Sequence, residues 1–471
     1  MPLPLNQVIC GDCLEIMKTF PCESVDLIVT DPPYGYSFMG KDWDKAVPSV
    51  DVWKECLRVL KSGAFAFVMS SPRQDVLSQM IVRLGMAGFE TGFSSIYWAY
   101  ASGFPKAMNI SKAVDKRLGL ERKVIGTKQH SINFEKALEN KVGYLADEAN
   151  KNNKACFGYG EEKLTVPSSQ EAKVLDGSYG GFQPKPAVEV IIVCMKPLSE
   201  KTYVDQALTN QKGVTWLDDT RIPFEENPTG VYGTSNKTCT PTFNASVDQH
   251  DFRSSPHERG RFPANLLISD DALNDGRIIK TTYVKNQQNR EGAFLSELGH
   301  SGNQGYDDSG SFSRFFDLDK WFQKTVENLP EAVRKTLPFL ICPKASKSER
   351  NKGCEGLPEQ NVRKEDGSWG SLEVFSNSYT EQSGNPSNRG TTPKHHNIHP
   401  TVKPLKLMSY LVTLGSRPND VVLDPFVGSG TTCLASEMLG RQWIGIDISS
   451  EYVEIAQKRL ATIPAKITAF F

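Results

Sequence analysis

Asp31, Pro32, Pro33 and Tyr34 follow directly on the apolar run Val25-Asp26-Leu27-Ile28-Val29-Thr30. An acid, two prolines and an aromatic ring are thereby set at the mouth of a buried strand. These residue types suit the holding of a nucleobase by its exocyclic amine. The lone pair of that nitrogen is delocalised into the ring, so methylating it requires hydrogen-bond acceptors that draw it toward a tetrahedral, nucleophilic geometry. Asp31 and the Pro32 carbonyl can both accept. Two successive prolines fix φ and lack N–H groups, which stiffens the loop and leaves its carbonyls free of a ladder. Tyr34 can then stack on the base. The same string also suits an ordinary turn after a strand, and a second segment bears on the choice.

That segment, Asp420-Val421-Val422-Leu423-Asp424-Pro425-Phe426-Val427-Gly428-Ser429-Gly430-Thr431-Thr432, reads as a short buried strand, a glycine-bearing turn and a helix over residues 431–439. Two glycines permit positive φ and close approach of a ligand to the backbone. A phosphate-cradling loop would need a lysine after the glycines, and Gly430 is followed by Thr431 and Thr432. A dinucleotide fingerprint would need a third glycine, and Cys433 stands there. One strand later, Trp443-Ile444-Gly445-Ile446-Asp447 ends in an acid, close to the ~20-residue separation expected of a ribose-binding carboxylate. The expected ligand is a nucleoside without a pyrophosphate.

Together the two segments resemble the S-adenosylmethionine-dependent DNA amino-methyltransferases, in the group whose target-amine motif precedes its cofactor motif. His399-Pro400-Thr401-Val402-Lys403-Pro404 is similar to the HPTxKP signature of that family, and Gly11-Asp12 to its amino-terminal Gly-Asp pair. The resemblance implies roles. Asp31, Pro32, Pro33 and Tyr34 would be the catalytic loop. Asp12 would contact the adenine of the cofactor, and Asp447 its ribose. The turn through Asp424, Pro425, Phe426, Gly428, Ser429, Gly430 and Thr431 would hold the methionine part. Thr401 and Lys403 would lie near the methionine carboxylate.

The elements that must position these groups alternate along the first hundred residues. Val25 to Thr30 reads as a strand, Val52 to Leu60 as helical, Gly63 to Met69 as a strand, Val76 to Leu84 as helical and Ser94 to Tyr100 as an aromatic strand. Residues 107–180 form a polar excursion, and Pro186 to Lys196 returns as a further strand. The expectation is an α/β fold, a class I Rossmann-like methyltransferase with a doubly wound mixed sheet and an inserted target-recognition region. Its catalytic domain would comprise residues 1–197 and 396–471. Residues 198–395 lose the alternation and would form the target-recognition region, since the catalytic pocket touches only the extruded base. Arg253, Arg259, Arg261, Lys344, Lys347 and Arg350 are the candidate contacts to DNA there, and Trp98 and Phe104 candidate neighbours of the target base.

A chain of 471 residues at 39 % hydrophobic can bury a large core, and its net charge of −1 excludes a uniformly basic surface. Contact with double-stranded DNA must then come from local clusters. Ten scattered cysteines read as reduced thiols of a cytoplasmic protein. Cys10 and Cys13 have metal spacing without a second pair, so no metal is expected. No apolar run nears the ~20 residues that span a bilayer.

The expected activity is site-specific methylation of adenine N6, since by resemblance an aspartate at position 31 is commoner in adenine enzymes. Methylation of cytosine N4 is the alternative. More distant alternatives are a glutamine-side-chain methyltransferase and a DNA-binding protein with an inactive site. A restriction endonuclease on a separate chain remains open as a partner, and the oligomeric state is not legible.

Overall fold

The computed structural model describes residues 2–35, 46–100, 108–129, 161–182, 187–224, 259–269, 272–274, 277–281, 308–331, 334, 354, 360–361, 394–395 and 402–463. Its centre is an eight-stranded sheet. The strands are β1 (Gln7–Cys10), β2 (Leu27–Thr30), β3 (Phe65–Ser70), β4 (Ile96–Ala99), β5 (Val188–Met195), β6 (Leu266–Ile268), β7 (Val421–Asp424) and β8 (Gln442–Asp447). In space they run β1-β8-β7-β2-β3-β5-β4-β6. Within this sheet β5 alone runs antiparallel to its neighbours β3 and β4. The remaining pairs are parallel.

The sheet is covered on both faces, which is why its central strands read as continuous apolar runs. Alternation along the strands sorts the side chains. Leu27, Val29, Phe65, Phe67 and Met69 enter one buried cluster, whereas Ile28, Ala66 and Val68 enter the other. The first face is closed by α8 (Leu405–Gly415) and α9 (Thr431–Met438), the second by α2 (Val50–Val59) and α3 (Gln74–Ala87). Each buried Val, Leu, Ile, Phe or Met among them contributes about 1.5–3 kcal/mol by leaving water.

Short helices start where their caps allow. Asp12 caps α1 (Cys13–Met17) by accepting from the Leu14 N–H, and Ser449 caps α10 (Ser450–Leu460) by accepting from Tyr452. Around residues 110–174, α4 (Ile110–Arg117) packs on α5 (Gln170–Val174) beside an antiparallel ribbon of residues 123–129 and 161–166. Buried Asp115 ties them by accepting from the Ser168 and Ser169 amides and pairing with Arg122. The helix α6 (Tyr203–Asn210) follows β5.

Pieces of the irregular stretch 198–395 are built into this core. Leu266–Ile268 extends the sheet beside β4, and α7 (Leu318–Glu327) lies against α8, with Trp321 edge-on to Tyr410 at 4.9 Å. Buried Lys406 of α8 pairs with Asp319 of α7, a contact whose loss would strand a charge in the core.

Candidate active site

Parallel strands point their carboxyl ends to one edge, and an open α/β sheet binds ligands there. β2 ends at Thr30 and delivers Asp31 to Tyr34 to that edge; β7 ends at Asp424; β8 ends at Asp447. Cys10 of β1 pairs in register with Asp447, so Asp12 follows at the same edge. These loops surround a cavity of about 450 Å3, lined by Asp12, Asp31, Pro32, Pro33, Tyr34, Lys403, Asp424, Pro425, Phe426, Gly428, Ser429, Thr431 and Asp447. Residues from both ends of the chain thus meet in one concavity.

The turn after β7 is held rigidly. Asp424 is fully enclosed and accepts from Thr30 Oγ1 and Thr432 Oγ1, each at 2.6 Å, and from the Phe426 N–H at 3.1 Å. Burial pushes its carboxyl up to about 6, against the pull of the two threonine hydroxyls. Asp447 accepts from the Gly428 N–H at 2.9 Å and the Ser449 N–H at 2.8 Å. Burial raises this carboxyl too, and the two amides draw it partly back. Gly430 is placed differently from its expected role: it lies behind the cavity wall at φ 82°, where a Cβ would stand 2.8 Å from Ala456 Cβ. The glycine is there for packing of the turn on α10.

Asp31 is gripped from both sides. Tyr34 Oη donates to Asp31 Oδ1 at 2.6 Å, and Lys403 Nζ stands 2.6 Å from Asp31 Oδ2. Lys403 also lies 3.4 Å from Glu189 Oε2 and 5.8 Å from the Tyr34 ring centre. Burial opposes its charge, but the two carboxylates reverse that and hold Lys403 above the ordinary lysine range. Lys403, the expected neighbour of the methionine carboxylate, lines the cavity and pairs there with Asp31 and Glu189, two partly buried acids that require a counter-charge.

A DNA methylase family model, the N6/N4 type, matches residues 25–458. The chain belongs to the N6/N4 DNA methylase family. The cofactor of this family is S-adenosylmethionine.

Among its curated relatives, this DNA methylase is 50% identical over 62 residues to the type II methyltransferase M2.LlaDCHI of Lactococcus lactis subsp. cremoris, covering 13% of this chain and 23% of that protein. It is 48% identical over 65 residues to the type II methyltransferase M.HinfI of Haemophilus influenzae, covering 14% of this chain and 18% of that protein. The matched stretches therefore span about a quarter or less of the lengths of these relatives. Among solved structures, the PvuII DNA methyltransferase (cytosine-N4-specific) aligns with TM-score 0.37 at 14% identity, over 98% of this chain and 92% of that one.

The cavity of the methylase fits its cofactor on chemical grounds. Backbone amides of a tight turn, a ribose-suited acid at the next strand end and apolar walls from Phe426, Val427 and Ile448 converge there. Thr401 lies outside the described residues. So do Phe104, Arg253, Lys344, Lys347 and Arg350. Trp98 is buried and donates from Nε1 to Ser269 Oγ at 3.0 Å; its ring lies tilted against Tyr100 at 4.8 Å, and of the two Tyr100 reaches the cavity. Arg259 donates to Asp219 at 2.8 Å, and Arg261 lies over the Phe315 and Phe224 rings at 5.2 and 4.6 Å.

Sequence reasoning missed Glu189, Tyr100 and Arg459. Buried Arg459 of α10 donates to Ser429 O at 2.5 Å, and to Ser429 Oγ and Thr431 Oγ1 at 3.0 Å, bracing the turn from behind. Glu189 had a readable signal: an acid next to the start of an otherwise apolar strand must be exposed, paired or functional.

Proposed function

We propose that this DNA methylase transfers a methyl group from S-adenosylmethionine to N6 of adenine in double-stranded DNA, acting on a base extruded from the helix. The observation that carries this reading is the Asp31 carboxylate, held between Tyr34 and Lys403 on the wall of the cavity that also contains Asp424, Gly428 and Asp447.

Extruding the base costs a few kcal/mol, and stacking on Tyr34 offsets about 1–3 kcal/mol of that. Asp31 accepts an N–H of the target amine, joined by the Pro32 carbonyl, and so localises the nitrogen lone pair. S-adenosylmethionine, when bound, supplies the methyl group on an electrophilic sulfonium. Asp447 would hold its ribose hydroxyls, Asp12 its adenine, and the turn Asp424–Thr431 its methionine part. As the N–C bond forms and the methyl–sulfur bond breaks, its electron pair staying on sulfur as a neutral thioether, Asp31 takes up the amine proton. Much of the acceleration is positional. No cysteine nucleophile is required, because an exocyclic nitrogen attacks directly. The type of residue 31, aspartate, supports adenine over cytosine by its resemblance to adenine enzymes.

Recognition of the flanking sequence is assigned to residues 198–395 apart from Leu266–Ile268 and Leu318–Glu327, which pack with the catalytic domain of residues 1–197 and 396–471.

The deciding experiment incubates the protein with labelled S-adenosylmethionine and unmethylated genomic DNA, then digests to nucleosides and identifies the labelled product by mass. N6-methyladenine is expected. N4-methylcytosine would overturn the choice of base, and absence of label from DNA the whole assignment.

A further inference from the structure

The cavity wall contains a second carboxylate that the mechanism above does not use. Glu189 sits near the amino end of β5, and because β5 runs antiparallel to its neighbours, that end reaches the edge where the parallel strands finish. Its Oε2 is sealed from solvent and makes no hydrogen bond, standing 3.4 Å from Lys403 Nζ. Keeping such an oxygen inside a protein is costly.

One acid would suffice to pair Lys403, and Asp31 already does so at 2.6 Å. Two acids on one ammonium leave an excess negative charge. The other groups facing the trio are Tyr34, whose hydroxyl is on Asp31; Tyr100, whose phenol burial and Glu189 hold in its protonated form; and Asp424 at the end of β7.

We infer that Glu189 is a positioning residue for the target amine, drawing the Lys403 ammonium away from full neutralisation of Asp31 so that Asp31 stays a strong acceptor. The inference rests on the function proposed above. With Glu189 neutral, Lys403 would turn wholly to Asp31, and the carboxylate facing the amine would be weaker as acceptor and as base.

The test is Glu189→Gln, which preserves shape and removes the charge, assayed in the full chain for methyl transfer to unmethylated DNA across pH. Expected are a fall in kcat of about tenfold, the size of one weakened charged hydrogen bond, an acid limb of the kcat profile moved to lower pH, and an unchanged KM for S-adenosylmethionine. Glu189→Asp should recover part of the rate. Lys403→Gln is the second variant and should move the acid limb the opposite way, to higher pH, since two carboxylates then face each other. Wild-type kcat and pH profile in Glu189→Gln, or equal displacement of the limb in both variants, overturns the inference while the function stands. A wild-type protein that labels no DNA overturns both.

Discussion

Thr30 Oγ1 donates to Asp424 Oδ1 at 2.6 Å, across 394 positions of chain. Thr30 is the last residue of the strand that leads into the Asp31–Tyr34 loop, and Asp424 the last of the strand that leads into the Pro425–Gly430 turn. The two strands, already paired in parallel, are therefore also fastened at their carboxyl ends by a buried side-chain hydrogen bond.

Asp31 accepts from Tyr34 and pairs with Lys403 on the cavity wall, where the proposed mechanism seats the target amine. Asp31→Ala should lower kcat for methyl transfer by about two to three orders of magnitude, the scale of losing one preorganised polar contact to the reacting centre. Isothermal titration with S-adenosylmethionine should still show binding. Full transfer by a folded Asp31→Ala protein would refute the mechanism.

Burial raises the Asp424 carboxyl from its ordinary 3.8 to about 6. The folded state then holds this proton more tightly than the unfolded chain. Its stabilising contribution is complete below pH 3.8 and is lost as the pH rises through about 6. The loss is on the order of 2–3 kcal/mol. Asp424→Asn lacks this dependence, so its Tm relative to wild type should improve over that window in thermal scans. A constant Tm difference across it would contradict the shift.

Asp447 receives two backbone N–H groups and keeps further lone pairs toward the cavity. Asp447→Asn should raise the KM for S-adenosylmethionine about ten- to a hundredfold, as expected for weakening hydrogen bonds to a charged group. Near-wild-type kcat at saturating cofactor and an unchanged circular dichroism spectrum should accompany it. A fall in kcat alone would place Asp447 elsewhere in the reaction.

Gly430 combines φ 82° with a Cβ position 2.8 Å from Ala456 Cβ. Gly430→Ala should destabilise the protein by roughly 2 kcal/mol or more, of which about 1–2 kcal/mol is the left-handed backbone. Adding Ala456→Gly should return the steric part and leave the backbone part. Denaturant titration of wild type, Gly430→Ala and the double variant measures both, and a neutral Gly430→Ala would show that α10 moves aside freely.

Much of this protein was legible before any coordinates. The runs Val25 to Thr30, Gly63 to Met69 and Pro186 to Lys196 announced buried strands because strands covered on both faces carry apolar residues at every position; they correspond to β2, β3 and β5. The loops bearing Asp31, Asp424 and Asp447 were identifiable because prolines, glycines and terminal acids break those runs at the strand ends. Their convergence on one edge follows from parallel pairing.

The sequence by itself determined residue types, strand ends and the family. Only the tertiary structure decided which charges meet. Lys403 took Asp31 and Glu189 as partners because burial made a counter-charge obligatory. Glu189 and Tyr100 reached the cavity because β5 reverses direction. Arg459 found Ser429 because α10 folds behind the turn. Leu266–Ile268 and Trp321 joined the core from a stretch without alternation. Periodicity reports on the nearest few residues, whereas pairing of buried charges and closure of a sheet edge depend on segments hundreds of positions apart, which no local pattern encodes.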